Sequence, residues 1–107
     1  MTINSHFKIL HLTLKKPQFK VTITGEKTSE FRRPSQWIKS RLIDKKYDFV
    51  KFTNGYGSNK PSFLCKCLGW RYATRASYTF SNDLVVNVDE TYFEILLGEI
   101  VQVKNVL

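Results

Sequence analysis

The sequence predicts an α+β fold, a small mixed β-barrel of five or six strands with two short helices near the N-terminus. Three observations lead there. Aromatic residues make up 14% of the chain, and with short runs of alternating apolar and polar residues they favour strands. Only two segments carry helix punctuation, too few to cover both faces of a parallel sheet. A chain of 107 residues forms one domain, residues 1–107, in which closing the sheet on itself buries the strand edges.

The stretch HFKILHLTL (6–14) alternates as a first strand, with Leu10, Leu12 and Leu14 on one side and Phe7, Ile9 and His11 on the other. His11 is then a structural histidine on a partly buried side. KKPQFKVTITG (15–25) is read as a helix because Pro17 suits a first turn and Gly25 a C-terminal cap. The polar segment 27–33 is extended, since Pro34 disfavours helical geometry at Arg33. Ser35 then caps a second short helix with Trp37, Ile38 and Leu42 as its apolar stripe.

YDFVKFT (47–53) and SFLCKCLGWRYAT (62–74) read as a hairpin around the turn signal Asn54-Gly55, with Gly69 as a bulge in the returning strand. Residues 83–88 suggest a short strand, and TYFEILLGEIVQVKNV (91–106) closes the chain. Cys65 and Cys67 share one strand two residues apart, a poor geometry for a mutual disulfide, and read as buried reduced thiols. They and the two histidines imply no metal site, and no cofactor motif is present. No apolar run reaches the roughly 20 residues that span a bilayer, and MTINSHFK lacks a leader pattern, so the expectation is a cytosolic protein with no membrane partner.

The net charge is +8 and unevenly placed. Residues 1–79 hold 16 Lys/Arg against 4 Asp/Glu, and residues 80–107 hold 1 against 5. A field of that strength concentrates polyanions, of which nucleic acid is the commonest inside cells. Its focus is GEKTSEFRR (25–33), where Gly25, Lys27, Glu30 and Arg32 follow the form G-x-K-x-x-E-x-R. In an extended segment Glu30 and Arg32 project together, and Lys27 reaches the same place from the turn. Arg32 offers a planar fork to a phosphate or base edge, Lys27 a mobile point charge, and Glu30 an acceptor for an exocyclic amine. The plainer alternative is a surface ion pair worth under about 1 kcal/mol.

That spacing resembles the signature of the ASCH family, small β-barrels related to the PUA and EVE domains that recognise RNA or modified bases. The resemblance covers most of the chain: an opening strand, a helix with a proline near its start, the signature, a hairpin and a terminal strand with Leu97-Gly98. FTNGYGSNKPSF (52–63) also looks like a hairpin loop of phage-encoded members. The resemblance implies a PUA-like barrel that binds RNA or a modified nucleotide at a cleft around Lys27, Glu30 and Arg32.

Arg33, Arg41, Tyr56, Trp70 and Arg75 are added as further binding candidates, because a stacking ring beside a cation suits single-stranded nucleic acid. Trp37 and Phe63 are assigned to the core. The alternative function is a small hydrolase, a ribonuclease or a nucleoside amidohydrolase, with Lys27 and Glu30 as catalytic groups. Some family members deacetylate acetylated cytidine with a lysine and a threonine in this signature, but Glu30 stands in the threonine's place. Thr28 and Ser29 do not match it, and Glu90 and Glu94 read as exposed charges.

Overall fold

A computed structural model of the chain describes residues 6–55 and 59–106. The chain runs β1 (Ile9–Leu14), α1 (Lys16–Ile23), β2 (Ser29–Arg32), α2 (Gln36–Leu42), β3 (Phe49–Asn54), β4 (Ser62–Tyr72), β5 (Ala76–Thr79), β6 (Val85–Val88) and β7 (Phe93–Lys104). The punctuation of the helices is as the sequence implies. Pro17 sits in the first turn of α1, where its missing N–H is not needed. Gly25 follows with φ +84°, a conformation that reverses the chain and is strained for any residue with a Cβ. In α2 the Ser35 hydroxyl accepts from the Ile38 N–H at 3.1 Å, and Asp44 turns left-handed just beyond the helix, at φ 59°.

Five strands form one sheet in the order β1-β3-β4-β7-β2, with β1 parallel to β3 and every other pair antiparallel. The sheet curls into a half-barrel. Three register shifts between β4 and β7 supply bends, one of them beside Gly69 at φ +109°. Its concave side carries Leu10, Leu12, Val50, Phe52, Phe63, Phe93 and Ile95, and Phe19 from α1 with Ile38 and Leu42 from α2 complete one buried cluster. Phe19 meets Phe63 edge-on, with ring centroids 5.1 Å apart.

Strands β5 and β6 make a separate two-stranded sheet, so the described residues form seven strands where five or six are expected. β5 is the addition. Its sequence, ASYT, is four residues with a mostly exposed burial pattern, so no apolar alternation marks it. The hairpin is pinned to the rest of the molecule along its length, and at its tip the Asn82 side-chain amide donates to the Pro17 carbonyl at 3.1 Å. Tyr78 stacks on Phe31 of β2 at 5.3 Å, and near its tip Glu26 accepts from the Ser81 N–H and hydroxyl at 2.9 and 2.7 Å.

Among the described residues no helix is long and apolar enough to cross a membrane. Because the Ser35 cap satisfies one of α2's orphan donors, Ser35→Ala should cost about 1 kcal/mol of stability, read as a lowered urea midpoint with unchanged slope.

Candidate functional site

The site is built at the place where the curled sheet fails to close. β2 pairs with β7 so that Glu30 lies opposite Ile95 and Arg32 opposite Phe93. Residues opposite each other share a face, so both charged side chains turn toward the concave interior, while Ser29 and Phe31 turn away from it. Lys27 is held on the approach to β2 by a hydrogen bond from its N–H to the Val21 carbonyl at the end of α1, 2.9 Å.

The three side chains meet. Lys27 Nζ lies 2.6 Å from Glu30 Oε1, and Arg32 Nε lies 2.7 Å from Glu30 Oε2. The Arg32 guanidinium reaches further and donates through Nη2 to the carbonyl of Thr13 on β1, 3.0 Å. β1 and β2 are the two free edges of the sheet, so Arg32 bridges the seam of the half-barrel. The ammonium of Lys27 also sits 5.8 Å from the centroid of the Phe31 ring.

Burial decides what this triad is. The side chains of Lys27 and Glu30 are 1% and 5% exposed, and that of Arg32 is 27% exposed. The group is therefore neither a surface ion pair nor, at Lys27, a mobile charge. Ions removed from water must be compensated by partners, and taking Glu30 away strands the buried Lys27 ammonium at a cost of about 3–5 kcal/mol. Both oxygens of Glu30 are engaged within the protein, which weakens the role of acceptor for a ligand's amine that the sequence suggests.

Beside the triad lies a cleft of about 500 Å³ lined by Thr13, Leu14, Lys15, Gln18, Lys27, Glu30, Phe31, Arg32, Arg33 and Val86. Four cationic side chains face one carboxylate there. Arg33 is exposed, with its Nε donating to the Tyr92 hydroxyl at 2.9 Å. Lys15 and Gln18 carry no motif signal, and they join the site only because α1 packs against the seam. The Gln18 Oε1 atom is buried without a hydrogen-bond partner among the described residues, the one such side-chain acceptor found there. A buried acceptor left unpaired is costly, and this one lies in a residue that lines the cleft.

The other sequence-predicted residues are dispersed. Arg41 stacks over Trp37, 5.2 Å from the ring centroid, and lines a neighbouring groove with it. Trp37 is 47% exposed, which corrects its assignment to the core; Phe63, at 2%, is a core residue. Trp70 is no open platform, because its indole N–H donates to the Leu42 carbonyl at 3.0 Å and its ring packs edge-on against Phe93. It lines a different cavity, with Lys45, Lys46 and Leu68.

Arg75 pairs with exposed Glu90 at 3.2 Å and is not part of the cleft. Tyr56 lies outside the described residues. Glu94 corrects the expectation of an exposed charge: it is 8% exposed and accepts from the Ser29 hydroxyl at 2.7 Å and from Arg71 Nε at 3.1 Å, on the face of the sheet opposite to Glu30 and Arg32.

His11 lies opposite Lys51 on β3. Its side chain is exposed, which corrects the expectation of a partly buried structural histidine; limited desolvation, and then the Lys51 charge, hold its pKa below the usual 6.5. Cys65 is buried and its thiol is pushed up to about 12, first by desolvation and then by Cys67 beside it. Both thiols are free. No cluster of three or more His, Cys, Asp and Glu side chains suited to a metal ion occurs among the described residues. Comparison with protein-family models, curated proteins and solved structures finds no match to this chain.

Two outcomes follow from these environments. Glu30→Leu should lower stability by about 3–5 kcal/mol in urea unfolding, and adding Lys27→Met should recover most of that loss, because the second change removes the stranded ion. For His11 the folded state binds its proton less readily than the unfolded chain, so its contribution is complete above about pH 6.5 and is lost as pH falls through the lowered value. The melting temperature should accordingly drop on mild acidification, and less so in His11→Asn.

Proposed function

We propose that this chain is an ASCH-like, PUA-related reader that binds single-stranded RNA or a modified nucleotide in the seam cleft. The observation that carries the reading is the meeting of Lys27, Glu30 and Arg32 at the mouth of a cationic cleft that Lys15 and Arg33 extend. Glu30 orients Arg32, so that its remaining guanidinium donors are pre-aimed at an anion or a base edge. Lys15 and Arg33, at the rim, suit phosphates.

The hydrolase alternative has one favourable feature, the short buried Lys27–Glu30 contact, which places a proton donor beside a carboxylate. Two features weigh against it. The carboxylate is engaged on both oxygens, and neither hydroxyl of the signature, Thr28 or Ser29, lines the cleft. Ser29 instead donates to Glu94.

Titration of single-stranded RNA at several salt concentrations tests the reading. Affinity should fall steeply with salt, and Lys15→Ala and Arg33→Ala, which leave the buried triad intact, should each flatten the logarithmic slope by about 0.7. Salt-insensitive binding, or none, would overturn it. Turnover of RNA or acetylated cytidine that disappears in a folded Glu30→Gln variant would establish the hydrolase instead.

A further inference from the structure

The helix α2 presents an indole where its pattern calls for a buried one. Ile38 and Leu42 fill the core side of α2, at 2% and 1% exposure, while Trp37 is left 47% exposed. Leaving a large aromatic in water forgoes its burial energy, and the residue is not idle: the Arg41 guanidinium lies over its ring at 5.2 Å. The two form one wall of a groove of about 310 Å³ whose other lining comes from Ile9, Leu10, His11 and Tyr47.

The position of this groove gives it a meaning. Its β1 side is the same edge strand whose Thr13 carbonyl accepts from Arg32 and whose Thr13 and Leu14 line the seam cleft. Ile9, His11 and Thr13 alternate onto one face of β1, and His11 and Thr13 stand roughly 7 Å apart along it. Cleft and groove are thus consecutive stations along one strand. Beyond His11 the cationic surface continues, since Ile9 and His11 also line a smaller cavity of about 130 Å³ with Lys51 and Lys104. A ring faced by a guanidinium, between cationic stretches, suits a stacked base with phosphates on either side.

We infer that Trp37, with Arg41 and His11, forms a second subsite that stacks the nucleotide flanking the one held in the seam cleft. The ligand is then a single-stranded oligonucleotide of two or more residues, and an isolated mononucleotide fills only half of the surface. This rests on the cleft binding a nucleotide, and the two claims separate by ligand length.

The experiment measures binding of a nucleoside 5′-monophosphate mixture and of mixed-sequence RNA tetranucleotides to the full chain and to Trp37→Ala and Trp37→Phe. Wild type should bind the tetranucleotides more tightly than the monophosphates. Trp37→Ala should lose roughly 5- to 150-fold on the tetranucleotides, the range for deleting one stacking ring, with no change on the monophosphates. Trp37→Phe should retain most of the affinity. Because Trp37 is exposed, the variants keep the wild-type melting profile, which is checked alongside. Equal tetranucleotide affinity of wild type and Trp37→Ala, or equal losses on both ligands, overturns the subsite while leaving the cleft standing. Failure of wild type to bind either ligand overturns both.

Discussion

Glu30 is the side chain on which the geometry of this protein turns. A five-stranded sheet curled around two helices leaves its first and last strands without a backbone ladder between them, and unpaired strand edges invite association with other chains. Here the gap is spanned by a carboxylate that holds Lys27 on one oxygen and Arg32 on the other, with Arg32 passing on to the Thr13 carbonyl. An ionic strut thus stands where a barrel would place another strand pairing. Each partner constrains the next, so the guanidinium that faces the cleft is fixed by an anion that the core has nearly sealed off from water.

Such a strut contributes less to stability than its short distances suggest. Desolvating Lys27 and Glu30 offsets much of their attraction, and apolar residues of similar size would hold the seam about as well. What apolar residues would not supply is orientation. The triad keeps a net positive charge at the mouth of a cleft in a region of low dielectric, where a charge acts over a longer range than at an open surface. The β5–β6 hairpin adds to this shielding. Val86 lines the cleft, and the Phe31–Tyr78 stack holds the hairpin against β2. Stability and recognition are therefore different demands on the same three residues.

Local chemistry made much of the fold legible. Pro17, Gly25 and Ser35 punctuate their helices as a reading of single residues expects, and the bulge at Gly69 falls where a glycine interrupts an apolar strand. The alternation of Leu10, Leu12 and Leu14 is the core face of β1. Strand β5 escaped because a mostly exposed edge hairpin needs no apolar alternation. Trp37 differs from its expected place in the core because hydrophobicity alone does not say which side of a seven-residue helix faces inward. Trp70 was misassigned for the opposite reason: a glycine neighbour suggests exposure, but the bulge it creates turns the indole inward to the Leu42 carbonyl.

By itself the sequence determined what depends on near neighbours: the α+β class, the two helices, the main hairpin, the basic field, and the joint projection of Glu30 and Arg32 from one extended run. Those follow from backbone sterics and from spacings of two to four residues, which act whatever the rest of the chain does. Only the tertiary structure decided that the triad is buried, that Thr13, Lys15, Gln18 and Val86 share its cleft, and that Arg75 and Trp70 do not. Burial and convergence depend on how β1 and β2, adjacent in space but paired to different neighbours, are brought face to face by the curl of the sheet. That curl is a sum of twists and bulges over five strands, and no single stretch of residues encodes it.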